Sequence, residues 1–305
     1  MMRHLLSVLL AMLSVATCGG TATTPTTGID YRYRVITTTS MFADLAEMAL
    51  GDTAHIESIV PAGADVHTFE PSPSDVAKIQ SADLIIANGL GLDGWVDAVI
   101  DAAGKGEADT LLLGEGLDHE SGWVYLSKAE AAGTADPHIW LDPKGAVLYV
   151  QRIADRVRRD APTVAQRISV SSADGIKMIK ALDQDIAAQF FAIDPARRKI
   201  VTMHDAFGYF ARAYGIEIVG VAVASPGQDP SAQEIRALID AIRAAGVTAL
   251  FSEVQLPSKV LNQIAAETGT AVLQDLYSDA LGAAPADSYL GAMRTNADAI
   301  LGAMR

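Results

Sequence analysis

The chain has 305 residues, half of them hydrophobic and a fifth charged, with a formal net charge of −14 and one cysteine. Such a composition suits a globular protein large enough for more than one domain. An excess of acid excludes the basic footprint that nucleic acid or an anionic membrane surface requires. With its single cysteine at position 18, the body of the chain has no disulfide, thiolate metal site or cysteine nucleophile.

Residues 1–22 read as a secretory signal: Arg3, an apolar run from Leu5 to Ala16, then small residues. The run is short for a membrane span, and no later stretch is long and apolar enough to be one. Export follows. Cleavage after Ala22 is the preferred reading. Lipid attachment at Cys18 is the alternative, because Thr17 stands where Gly or Ala is usual. Residues 23–31 form a polar tether.

From Arg32 onward, strand-like and helix-like segments alternate. Strands are expected at 33–38, 54–60, 83–88 and 109–114, and helices at 41–50, 73–82, 93–103 and 143–159. The stretch 115–137 is long for a connection. A helical pattern over 173–193 has no strand beside it and reads as a connector. The alternation resumes with strands at 198–203, 216–222, 248–253 and 270–275. Helices between and after them fall at 205–214, 231–245, 257–268 and 286–303. Such alternation implies parallel sheets covered by helices on both faces. The fold class is therefore α/β, with two lobes joined by one long rigid helix. The lobes span 32–170 and 196–305, and the linker 171–195.

In sheets of this kind, ligands bind beyond the C-terminal ends of the strands. His67 follows the strand at 54–60, His138 ends the loop after 109–114, His204 directly follows 198–203, and Asp279 follows 270–275. Two of these residues belong to each lobe. If the lobes face one another, all four converge in one cleft. Three imidazoles and a carboxylate make a tetrahedral zinc shell, with bonds of roughly 2.0–2.2 Å. A shell filled by protein leaves no coordinated water, which suits binding more than catalysis. Taken singly, each residue also has a structural reading: a hydrogen-bonded histidine, a helix start at His204-Asp205, a cap at Asp279. His4 lies in the signal and His55 on a strand face toward solvent. Asp118-His119-Glu120 is either a transient metal-capture site or a solvated loop.

Gly89-x-Gly91-x-x-Gly94 matches a dinucleotide fingerprint, but it lies outside the first strand–helix unit. Asp93 would also set a negative charge where a pyrophosphate must sit. The glycines are read as a tight turn. The chain has no Gly-x-x-x-x-Gly-Lys-Ser/Thr loop and so does not itself hydrolyse nucleotide.

At these residues the chain resembles the metal-binding solute-binding proteins of ABC importers, the cluster that carries zinc and manganese. "GADVHTFEPSPSD", "ADPHIWLDP", "HDAFGYFARAYGI" and "LYSDAL" resemble its four ligand segments, and "NGLGLDGW" a further stretch. The resemblance spans residues 33–305. It implies His67, His138, His204 and Asp279 as metal ligands, a periplasmic location, a membrane permease as partner, and no enzymatic activity. Manganese-preferring members are similar but typically place a carboxylate at the third position, where this chain has His204. A nitrogen-rich site favours Zn(II) over the harder manganese. Many zinc members carry a His-rich loop near 115–137, where this chain has only His119. That departure suggests delivery by a separate exported metallochaperone. The protein is expected to act as a monomer. The rival readings are a manganese-binding homologue, a zinc hydrolase with Asp279 or Glu70 as base, and an adhesion protein with structural zinc.

Overall fold

In a computed structural model, residues 33–117 and 135–305 are described. The first lobe contains β1 (Arg34–Thr37), α1 (Ser40–Leu50), β2 (His55–Ser58), α2 (Pro73–Gln80), β3 (Leu84–Ala87), α3 (Val96–Ala102), β4 (Thr110–Leu112) and α4 (Pro143–Asp160). The long α5 (Ala165–Phe191) follows. The second lobe holds β5 (Lys199–Thr202), α6 (Gly208–Tyr214), β6 (Glu217–Val221), α7 (Ala232–Ala245), β7 (Ala249–Glu253), α8 (Lys259–Thr268), β8 (Ala271–Leu276) and α9 (Tyr289–Met304). Each lobe has one parallel sheet of four strands, ordered β2-β1-β3-β4 and β6-β5-β7-β8.

The inner strands β3 and β7 are buried at every position because both faces are covered, whereas the edge strands β2 and β6 are only partly buried. Within β1, Val35 enters a central core and Ile36 an outer one, as the two-residue period of a strand requires. Outer cores lie against α2 and α3 in the first lobe and against α7 and α8 in the second. The central core is continuous from Val35 to Met304 and includes Trp140, Tyr149, Phe190, Tyr209, Phe210 and Tyr289. The lobes are therefore joined by shared packing as well as by α5.

Helix α5 has 27 residues, about 40 Å of helix. Its buried row is Ile168, Ser172, Gly175, Ile179, Leu182, Ile186 and Phe190, one face at three- and four-residue steps. A Cβ on Gly175 would stand 2.9 Å from Met48 Cβ and 3.0 Å from Met48 O, so α1 and α5 touch backbone to backbone there. At its far end Phe190 stacks on Tyr214, with ring centroids 5.4 Å apart. The helix begins at Ala165, earlier than the expected 173. The stretch from Ile168 to Ser172 is β-branched and Ser-rich, with weak intrinsic helix preference. Burial of Ile168 and Ser172 overrides that preference.

Among the described residues no helix is long and apolar enough to cross a membrane. The signal segment, Cys18, the tether and Asp118-His119-Glu120 lie outside the described residues.

Candidate metal site

His204 and Asp279 sit just beyond β5 and β8, His67 on the loop after β2 and His138 shortly before α4, and the structure brings all four together. One donor atom each from His67, His138, His204 and Asp279 lies within 4.8 Å of every other. His138 Nε2 is 3.3 Å from His204 Nε2 and 3.3 Å from Asp279 Oδ1. Asp279 Oδ2 is 3.6 Å from the Nε2 atoms of His67 and His204. In a tetrahedron the donor–donor edge is about 1.6 times the metal–donor distance, so bonds of about 2.0–2.2 Å need edges of about 3.3–3.6 Å. The four measured distances lie in that range, those to Asp279 reaching one carboxylate oxygen or the other, and one donor atom from each residue lies within 4.8 Å of every other. Glu70 is exposed and is not one of the clustered groups.

His67 Nε2 and Asp279 Oδ1 are buried with no hydrogen-bond partner among the described residues. Buried polar atoms are ordinarily satisfied, so donors left open and aimed at one another suit a cation between them.

Buried carboxylates back two of the imidazoles. Asp136 Oδ1 lies 2.8 Å from His138 Nδ1, and Glu253 Oε2 lies 2.7 Å from His204 Nδ1. Asp136 fixes the His138 ring so that Nε2 faces the cluster, as in carboxylate–histidine–metal arrangements, and Glu253 Oε1 accepts the backbone N–H of His204 (3.2 Å). Sequence reasoning missed both carboxylates. Asp136 carried a usable signal, two residues before His138 in "ADPH"; Glu253 at the end of β7 carried none that is local. Burial opposes a charge on His138, but Asp136 and Asp279 outweigh it and raise its pKa to about 10. His204 is raised against burial by Glu253 and Asp279. Burial likewise opposes charge on Asp279, yet the surrounding imidazoles hold its carboxyl well below the usual range. The metal-free site thus keeps its carboxylate ionised and holds protons that a cation must displace.

The supporting loops are tied down by specific bonds. Trp95 Nε1 donates to Val66 O beside His67 (2.9 Å). Asn88 Nδ2 donates to Pro137 O beside His138 (3.0 Å), and Tyr209 Oη to Asp136 O (2.8 Å). The glycine fingerprint proves to be part of this support. Gly89 and Gly91 adopt positive φ, and Asp93 accepts the backbone N–H groups of Asn88 and Gly89 together with the Thr38 hydroxyl. The carboxylate of Asp93 fills the amide cradle that a phosphate would need.

The loop bearing Asp279 bridges the lobes. Trp140 Nε1 donates to Ser278 O (2.8 Å), Leu281 N to Ser40 Oγ (2.9 Å), Gly63 N to Leu281 O (2.8 Å) and Tyr289 N to Asp44 Oδ2 (2.8 Å). These bonds run to the first lobe from a loop that follows the last strand of the second.

The chain is similar to known metal-binding proteins. The family described as ZnuA, zinc-uptake complex component A periplasmic, matches residues 35–303. The metal ABC transporter substrate-binding lipoprotein FimA of Streptococcus parasanguinis is 30% identical over 280 residues, 90% of this chain and 89% of the relative. The manganese ABC transporter substrate-binding lipoprotein PsaA of Streptococcus anginosus is 27% identical over 303 residues, 97% of this chain and 96% of the relative. Among solved structures, the periplasmic zinc-binding protein TroA of Treponema pallidum superposes with a TM-score of 0.79 at 25% identity. That match covers 89% of this chain and 99% of TroA. The chain belongs to the zinc-uptake complex component A family, the periplasmic metal-binding components of ABC importers.

Proposed function

We propose that the protein captures Zn(II) outside the cytoplasmic membrane through His67, His138, His204 and Asp279 and hands it to an ABC permease. The observation that carries the reading is the donor set: three imidazole nitrogens and one carboxylate, one atom of each within 4.8 Å of every other. Nitrogen-rich, four-coordinate geometry suits zinc. All four positions come from protein, which favours holding an ion over activating water.

Manganese is the second reading. Relatives are named for manganese and for iron as well as for zinc. Asp279 also turns both carboxylate oxygens toward the imidazoles, which would allow a fifth bond to a harder ion. The deciding experiment is the metal content of the purified protein, with competition titration of Zn²⁺ against Mn²⁺ on the unmodified chain and on His138→Ala. One zinc, removable by chelator with the fold intact and weakened by the substitution, is expected. Preferential retention of manganese would move the assignment to the second reading, and zinc binding unchanged by His138→Ala would overturn the ligand set.

Lipid anchoring at Cys18 gains support over cleavage after Ala22, because relatives that align across nearly the whole chain are named lipoproteins. The mass of the mature protein from membranes tests it. A monomer that receives its zinc from an exported metallochaperone completes the proposal. Equal loading rates from buffer and from a candidate donor would remove the reason for the chaperone.

A further inference from the structure

The ligand reading leaves one polar side chain unexplained. Gln255 lies in the loop after β7, next to Val254, which is 39% exposed. Its Nε2 stands 2.6 Å from Ser278 Oγ and 3.2 Å from Asp279 Oδ2. Ser278 Oγ donates onward to Glu253 Oε2 at 2.5 Å, and that same oxygen lies 2.7 Å from His204 Nδ1. The second lobe's two donors are thus linked behind the cluster through Gln255, Ser278 and Glu253.

The orientation of the amide is fixed by its partners. A carboxylate oxygen only accepts, and Ser278 has its one proton on Glu253, so both face the NH₂ side of Gln255. The price is a Gln255 Oε1 that is buried with no partner among the described residues. Such a group is costly to leave unpaired, so the NH₂ contacts dictate the pose.

The two oxygens of Asp279 are therefore unequal. Oδ1 has no hydrogen-bond partner among the described residues and faces His138 at 3.3 Å. Oδ2 faces His67 and His204 but is already engaged by Gln255. We propose that Gln255 is a specificity-determining positioning residue: by holding Asp279 Oδ2, it leaves Oδ1 as the single carboxylate ligand and keeps the site four-coordinate. Without that amide, Oδ2 is free to join Oδ1 on the metal. Coordination then expands toward five, which suits larger, harder cations more than zinc. The inference rests on the proposed four-ligand site.

The test uses the full chain with Co²⁺ as a spectroscopic probe, together with Zn²⁺ and Mn²⁺ affinities. Gln255→Met keeps the bulk and removes the donor; Gln255→Glu keeps the shape and makes the group an acceptor. Unmodified protein should give the intense visible bands of four-coordinate cobalt. Both variants should give the weaker bands of higher coordination, and their preference for zinc over manganese should fall about tenfold or more, in line with substitutions behind a metal ligand. Affinities that fall equally for both metals with an unchanged cobalt spectrum would mean a merely structural role and overturn the proposal, as would no change at all. If Gln255→Met fails to fold, Gln255→Glu decides the matter on the same readouts. Loss of cobalt binding in His138→Ala but no spectral change in either Gln255 variant would leave the ligand set standing and refute only the role of Gln255. Failure of the unmodified protein to bind cobalt would sink both.

Discussion

Asp136 Oδ1 binds His138 twice: it lies 2.8 Å from the ring Nδ1 and accepts the same residue's backbone N–H at 2.9 Å. One oxygen thereby fixes both where the loop runs and how the imidazole turns, and Tyr209 Oη holds the Asp136 carbonyl from the second lobe. Asp136→Asn should lower zinc affinity about 10- to 100-fold while the fold survives, because outer partners of this kind orient and strengthen the ligand. Competition with a chromophoric chelator measures it. An affinity within a factor of two of the unmodified protein would refute the orienting role.

Metal binding should release protons. His138, with its pKa raised to about 10, is protonated in the metal-free site at neutral pH, and the pKa of His204 is raised as well. A cation must expel the His138 proton, so affinity should climb with pH between about 6 and 9 by at least about tenfold per unit. Calorimetry in buffers of different ionisation heat counts the protons. A flat affinity over that range would contradict the charge state assigned here.

Asp44 offers a stability test away from the cluster. Burial raises its pKa to about 6, against the bond it accepts from Tyr289 N and with Glu47 and Asp287 adding to the rise. A raised carboxyl means that folding disfavours the charged form. The cost is complete above about pH 6 and is relieved as pH falls toward the unfolded value. Asp44→Asn keeps an acceptor for Tyr289 N and removes the charge. Its Tm should exceed that of the unmodified protein at pH 7.5, with the gap about halved at pH 5 and closing only as pH falls below about 4. Equal destabilisation at both pH values would show that geometry, not charge, governs the position.

Gly175→Ala tests the contact between α1 and α5. The new methyl would press on Met48 at 2.9–3.0 Å, where one of its neighbours is backbone oxygen. Alanine's better helix propensity stabilises by about 1 kcal/mol, whereas overpacking of this kind costs about 1–3 kcal/mol. Net destabilisation by chemical denaturation is expected, and a gain in stability would mean that the helices part without cost.

The α/β alternation was legible in the sequence because strand and helix periods are local properties. His67, His138 and His204 could be picked out because each follows a strand, and ligands gather at such ends in parallel sheets. Helix α5 was legible in its latter part, where the apolar spacing is clean. Its first turns were not, because Ile168 and Ser172 are held helical by what they pack against.

What the sequence by itself determined was the list of donors and the strand ends on which they sit. Only the tertiary structure decided that the four donors lie within 4.8 Å of one another, and that Asp136 and Glu253 stand behind two of them. It alone also decided that the loop of Asp279 is pinned to the first lobe through Ser40, Asp44 and Trp140. The physical reason is separation along the chain. Asp136 and His138 aside, these contacts join residues tens to hundreds of positions apart, and such pairs leave no periodic trace in the sequence. The continuous core between the lobes sets their distances, and with them the geometry that a metal ion would meet.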